Sequence, residues 1–106
     1  MATKFKLDPN PSFKAKVAIP VPGGKAEPVE FTFRHFSRDE YIALFESTEG
    51  ETKTDHQLLM DIVKGWDLED DFNAENVERL IQNYHGAARA IVRVFTDELG
   101  QVRLGN

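Results

Sequence analysis

The chain contains no cysteine and no long apolar run, and these two absences restrict its class. Without cysteine, disulfides, thiolate catalysis and cysteine-ligated zinc sites are excluded. No segment approaches the roughly 20 consecutive apolar residues of a membrane-spanning helix. The opening residues MATKFK also lack the apolar core of a signal peptide. We therefore expect a soluble cytoplasmic protein with no membrane partner.

The chain also lacks an excess of positive charge. It has 13 Lys and Arg residues against 18 Asp and Glu residues, which gives a formal net charge of −5. Nucleic-acid binding needs a basic stripe that neutralises phosphates, so we predict no nucleic-acid partner. The length of 106 residues, with 41% hydrophobic and 29% charged residues, is typical of one compact globular domain.

In the first third of the chain, the hydrophobic pattern predicts a β-hairpin. Two prolines in LDPNPS indicate an extended, flexible lead-in over residues 1–12. The segments FKAKVAI and VEFTFR alternate apolar and polar residues, as half-buried strands do, and the intervening PVPGGKAEP is rich in turn residues. Residues 13–34 are therefore predicted to form the hairpin.

After residue 36 the apolar spacing becomes helical. SRDE and TDHQ are capping boxes, in which a Ser or Thr side chain and a Glu or Gln three residues later bind the first free N–H groups. Asn73 is the predicted cap of a third helix, with Phe72 and Val77 as its hydrophobic staple, and Gly86 predicts a break before a fourth. The predicted helices cover residues 38–47, 55–65, 74–84 and 87–99, and residues 100–106 form a frayed tail.

Together these elements predict an α+β fold, in which an N-terminal β-hairpin packs against about four short α-helices. The single globular domain covers residues 13–99. Most of the 8 Phe, 2 Tyr and 1 Trp residues fall on the predicted inward faces. Trp66 and Phe36 lie instead at junctions between elements, and Phe72 directly precedes a helix cap. Because exposed aromatic residues are enriched among binding hot spots, we predict Trp66, Phe36 and Phe72 as partner-binding residues.

The acidic stretch GWDLEDDFNAENVERL raises the question of a calcium loop. Asp67, Glu69, Asp71 and Glu78 occupy the first, third, fifth and twelfth positions of an EF-hand loop. The sixth position, which needs glycine for a sharp turn, is Phe72. A helix, a polar corner and a capped helix therefore account for this stretch better. A calcium- or metal-binding regulator over residues 67–78 is the alternative.

No other pattern in the chain predicts chemistry. The histidines His35, His56 and His85 lie outside the spacings of zinc ligands, and no G-x-S-x-G motif surrounds a serine. We therefore predict no catalytic residue, no cofactor and no metal site. An acidic inhibitor that mimics DNA is a further alternative, although lysines cluster near the start of the chain.

Two long segments of the chain are similar to a known family. NPSFKAKVAIPVPGGKAEPVEFTFRH and IVKGWDLEDDFNAENVERLIQNYHGAARAI resemble the small tail assembly chaperones of tailed bacteriophages and prophages. The resemblance covers most of residues 9–95, and its most specific parts are KVAIPVPGGKAEPVEFTF and the block from GWDL to NYHGAARAI. The family pattern favours proline where this chain has His85.

The resemblance implies a role without catalysis. Such chaperones bind the long tape-measure protein, keep its hydrophobic helices from aggregating and help recruit tail-tube subunits. The resemblance therefore implies that this chain acts in the cytoplasm of a bacterial host and is absent from the mature virion. It implies no catalytic or metal residue.

Overall fold

The computed structural model of the chain describes residue 5, residues 7–46 and residues 53–100. Three parts of the predicted elements lie outside these ranges: the rest of the lead-in, the last residue of the first predicted helix, and the tail beyond residue 100. Within them, the elements confirm an α+β fold with an N-terminal hairpin and four helices. In chain order they are β1 (Ser12–Ile19), β2 (Glu27–Arg34), α1 (Arg38–Phe45), α2 (Asp55–Ile62), β3 (Val63–Trp66), α3 (Ala74–Asn83) and α4 (Ala87–Gly100).

β1 and β2 form the predicted hairpin because their apolar residues alternate in register. Phe13 lies opposite Phe33 and Val17 opposite Val29, so one face of the sheet is apolar except at its turn end, where Ile19 lies opposite Glu27. In the connecting turn, Gly23 has a φ of 76°, a left-handed conformation that favours glycine. The hairpin therefore presents one apolar face, which the helices must cover.

The second helix is shorter than predicted, because the chain returns to the sheet. The prediction of a helix over residues 55–65 is wrong: α2 ends at Ile62, and the next four residues form β3, antiparallel to β2. Val63 lies opposite Phe33 and is buried with it. The four-residue segment VKGW is too short for its periodicity to distinguish a strand from a helix end. Its pairing with β2 satisfies backbone groups that the edge of β2 would otherwise expose.

Both predicted capping boxes are present. In α1, the backbone N–H of Glu40 donates to Ser37 Oγ at 3.2 Å, and the N–H of Ser37 donates to Glu40 Oε1 at 2.8 Å. In α2, the N–H of Gln57 donates to Thr54 Oγ1 at 3.1 Å, and the N–H of Thr54 donates to Gln57 Oε1 at 2.9 Å. The two helices therefore begin in the same geometry, with a carboxylate in one cap and a neutral amide in the other.

The third and fourth helices are separate, as Gly86 predicts. Asn73 caps α3, because its Oδ1 accepts a hydrogen bond from the N–H of Asn76 at 2.8 Å. α3 ends at Asn83 and α4 begins at Ala87. A β-carbon added to Gly86 would lie 3.0 Å from Cγ of Pro20, so glycine permits the hairpin turn to approach the helix junction closely.

The core forms where α4 crosses the apolar face of the sheet. The ring of Phe95, on α4, lies 6.4 Å from that of Phe13 and 5.6 Å from those of Phe33 and Phe36, between centroids. Tyr41 of α1 stacks on the same ring at 6.1 Å. The buried core of the described residues consists of Val17, Ile19, Phe31, Phe33, Leu44, Leu59, Ile62, Val63, Val77, Ala87, Ala88, Ile91 and Phe95.

The cap of α1 is predicted to be sensitive to acid, whereas that of α2 is not. The hydrogen bond from the Ser37 N–H, and then that from its hydroxyl, lower the pKa of Glu40 below its usual value of 4.5. The stabilisation by a carboxylate of lowered pKa is present above the usual value and is lost as the pH falls through the folded-state value. Amide hydrogen exchange by NMR should therefore show α1 opening more readily on acidification than α2.

The variant Glu40→Gln provides the matched control for this prediction, because it gives α1 the neutral box of α2. It should remove the difference in acid sensitivity between the two helices. Equal acid sensitivity of α1 and α2 in the wild-type protein would contradict the role given to the Glu40 carboxylate.

The variant Gly86→Ala is predicted to destabilise the protein. The new methyl group would press on the rigid ring of Pro20, and overpacking of this kind costs about 1 kcal/mol of unfolding free energy. Gly65→Ala is the matched control, because a β-carbon at Gly65 meets nothing within 4 Å. Urea denaturation should show a lower midpoint for Gly86→Ala alone, and equal midpoints for both variants would refute the close contact.

Candidate functional site

The structure brings two of the three predicted partner-binding aromatics together. Trp66, on β3, and Phe72, just before α3, meet edge to face with ring centroids 5.1 Å apart. Trp66 also meets Phe31 of the core edge to face, at 6.2 Å. Phe36 lies elsewhere, against Phe95 beneath the start of α1. The predicted set therefore divides between two places.

Trp66 organises the acidic loop that follows it, residues 67–71. Its indole N–H donates to the carbonyl oxygen of Asp70 at 2.7 Å, which closes the loop back onto the ring. At the two ends of the loop, the N–H of Asp67 donates to the carbonyl of Glu30, and the side-chain amide of Asn76 donates to the carbonyl of Asp71. These bonds use backbone groups of the loop, so they hold it between β2 and α3 without engaging its carboxylates.

The loop forms one wall of an open groove, which we call the tryptophan groove. The groove lies between the end of the sheet and α3 and has a volume of about 290 Å³, at the lower end of the range for ligand pockets. Its apolar lining is Ile19, Val21, Val29, Phe31, Trp66, Leu68, Leu80 and Tyr84. Its polar lining is Glu27, Asp70, Asn76, Arg79 and Asn83.

Two apolar residues at the groove remain open to solvent. Leu68 is 40% exposed and Tyr84 is 36% exposed. Neither was among the predicted site residues, although Leu68 could have been noticed as the one apolar residue in the acidic run DLEDD. Large apolar side chains that line a concave surface are typical of a protein-binding site. The tryptophan groove is therefore the strongest candidate site.

Phe36 belongs to a second concavity, between the start of α1 and the end of α4. Tyr41 lines the same concavity, and its hydroxyl forms a 3.0 Å hydrogen bond with Thr96 Oγ1. The Phe36 ring meets Phe95 edge to face and is half-buried. Phe36 thus helps to attach α1 to the core, and it also lines this second concavity.

α1 exposes further apolar surface that the sequence pattern did not reveal. Ile42 is 53% exposed and Phe45 is 45% exposed, whereas Leu44 is buried. Apolar side chains thus lie on more than one side of this helix, so packing on the core covers only part of them. α1 is a second apolar surface, on a convex element.

The surface carries charges of both signs. Lys14, Lys16 and Arg34 are exposed on the outer face of the sheet, where Lys16 lies opposite Glu30. The acids of residues 67–71 are exposed on the loop beside the groove, which Asp70 lines. This alternation of sign differs from the continuous acidic face that a DNA mimic would need.

The acidic stretch has the geometry of a corner and a capped helix. Glu78, which would be the bidentate ligand of a calcium loop, lies on α3 and accepts a hydrogen bond from Gln82 Nε2 at 2.8 Å. In the part of the chain that the structure describes, no group of three or more His, Asp or Glu side chains is placed to hold a metal ion. The structure therefore adds no support to the calcium alternative.

The indole hydrogen bond is predicted to hold the acidic loop in place. Trp66→Phe keeps an aromatic ring against Phe31 and Phe72 but removes the donor to Asp70 O, at a cost of about 1 kcal/mol. Amide hydrogen exchange over residues 67–71 should become faster. Exchange in α4 is the control and should stay unchanged, because this hydrogen bond does not join the loop to α4. Unaltered exchange in the loop would rule out this role for the indole.

Comparison with known proteins gives one match. A family model described as phage tail assembly chaperone matches residues 1–106, the whole chain. No curated protein and no solved structure matches the chain. Among the described helices, none is both long enough and apolar enough to cross a membrane. Because the match spans every residue, the chain belongs to the phage tail assembly chaperone family.

Proposed function

We propose that this chain binds the tape-measure protein of its phage and helps recruit tail-tube subunits during tail assembly. The observation that carries the proposal is the family match over residues 1–106. The chain would act in the cytoplasm of the infected or lysogenic bacterium and leave before the virion is complete. This role requires binding and release of protein partners and no catalytic group.

The surface of the protein supports this proposal. A chaperone for a long apolar helical client needs apolar surface of its own that stays accessible, and the tryptophan groove and α1 both offer it. The net charge of −5 favours solubility while these surfaces are open. The protein therefore combines accessible apolar surfaces for binding with a net charge that keeps it in solution.

Trp66 and Phe72 have different parts in the proposed binding. Trp66 lines the groove directly, so its ring can contact a client. Phe72 is half-buried behind it and supports the indole edge to face. Phe36, in the concavity beside α1, is proposed as part of a second contact. Two separate apolar surfaces suit a protein that must meet both the tape-measure protein and the tail-tube subunit.

Co-expression with the tape-measure protein of the same phage tests the proposed function. We expect more of the tape-measure protein in the soluble fraction and co-purification with an affinity-tagged chaperone, because the chaperone covers its apolar stripes. An unrelated acidic protein of similar size and charge is the control. Unchanged solubility together with no co-purification would sink the proposal, and addition of the tail-tube subunit to the complex tests the recruitment step.

A further inference from the structure

The two walls of the tryptophan groove differ in charge. The loop of residues 67–71 lines the groove with Leu68 and Asp70, and the carboxylates of Asp67, Glu69 and Asp71 are exposed on the same loop. The other charged residues of the lining are Glu27 of β2 and Arg79 of α3, whose formal charges balance. An apolar floor is thus bordered by negative charge along one side.

Little within the protein neutralises this wall. Arg79 Nη1 lies 3.9 Å from Asp70 Oδ1, and the two side chains are 61% and 65% exposed, so their attraction is weak. Within the described part of the chain, Asp67, Glu69 and Asp71 have no ion pair. The hydrogen bonds that fix the loop use its backbone carbonyl groups and the N–H of Asp67. The carboxylates therefore remain available to a partner.

We propose that the tryptophan groove binds an amphipathic α-helix whose apolar stripe is bordered by lysine or arginine. This inference rests on the proposed function, and it assigns such a helix to the tape-measure protein. Apolar side chains of the helix enter between Leu68 and Tyr84 and contact Trp66, while its cations face the acidic loop. The binding mode is that of a helix in a groove, with charge complementarity setting orientation.

The charge of the wall argues against other occupants. Nucleic acid and anionic lipid would bring phosphates toward carboxylates and be repelled. A second copy of this chain carries the same charge of −5 and would be repelled in general. A cationic amphipathic helix is complementary to both the apolar floor and the acidic wall of the groove.

Trp66 makes the proposal directly measurable, because it is the only tryptophan in the chain and it lines the groove. The probe is a synthetic amphipathic helical peptide of leucine and lysine, roughly 20 residues long. The control peptide has the same sequence with glutamate in place of lysine. The lysine peptide should shift the Trp66 emission on titration, and added salt should weaken its binding. The glutamate peptide should bind much more weakly.

Three variants locate the contact. Leu68→Ser removes an exposed groove side chain, and the double variant Glu69→Lys with Asp70→Lys reverses the charge of the loop at its groove-lining acid, Asp70, and at its neighbour. Each should weaken lysine-peptide binding about tenfold. The double variant Asp8→Lys with Glu46→Lys is the matched control, since it changes the net charge equally at exposed sites that line neither the groove nor the second concavity. It should bind like the wild type, and thermal denaturation checks that all variants are folded.

The outcomes separate this inference from the proposed function. If the tape-measure protein co-purifies with Leu68→Ser and with the wall-reversed variant as well as with the wild type, the groove is not the binding site, although the function stands. Equal binding of the lysine and glutamate peptides would overturn the charge requirement. Self-association of the wild type that Leu68→Ser abolishes would identify a second copy as the occupant and refute the proposal. Peptide binding as expected, without any tape-measure binding, would instead refute the proposed function.

Discussion

The packing of Phe95 against the apolar face of the sheet is the contact on which the rest of this structure depends. A small sheet with one apolar face is not stable unless that face is covered. α4 covers it, and the Phe95 ring joins Phe13 of β1, Phe33 of β2 and Tyr41 of α1 in one aromatic cluster. Truncating a buried phenylalanine costs about 3–5 kcal/mol, a large part of the 5–15 kcal/mol that stabilises an ordinary domain.

The position of the candidate site follows from the return of the chain to the sheet. Because β3 pairs with β2 after Ile62, Trp66 lies beside the start of the acidic loop and faces α3 across the groove. A longer α2 would have continued past this point and left no groove between sheet and helix. The candidate site is therefore a product of tertiary pairing, and the aromatic residue alone does not create it.

Features governed by neighbours in the chain could be predicted from the sequence, and features governed by distant contacts could not. The hairpin, the two capping boxes, the Asn73 cap and the break at Gly86 each depend on a few adjacent residues, and all are present. β3 was missed because four residues carry too little periodicity to distinguish a strand from a helix end. The exposure of Leu68 was missed because it depends on where the loop lies relative to α3. Family membership could be inferred, since the resemblance extended over most of the chain.

The contact between Pro20 and Gly86 also bears on the shape of the tryptophan groove. Pro20 lies between Ile19 and Val21 on the hairpin side, and Gly86 follows two residues after Tyr84 on the helical side. A hydrogen in place of a methyl group at Gly86 therefore allows the hairpin turn to lie close to the helix junction beside the groove. In related chains, side-chain volume at these two positions should vary in a compensating way, with a smaller hairpin residue wherever the junction residue is larger. Such substitutions would change the aperture of the groove without altering a residue that lines it.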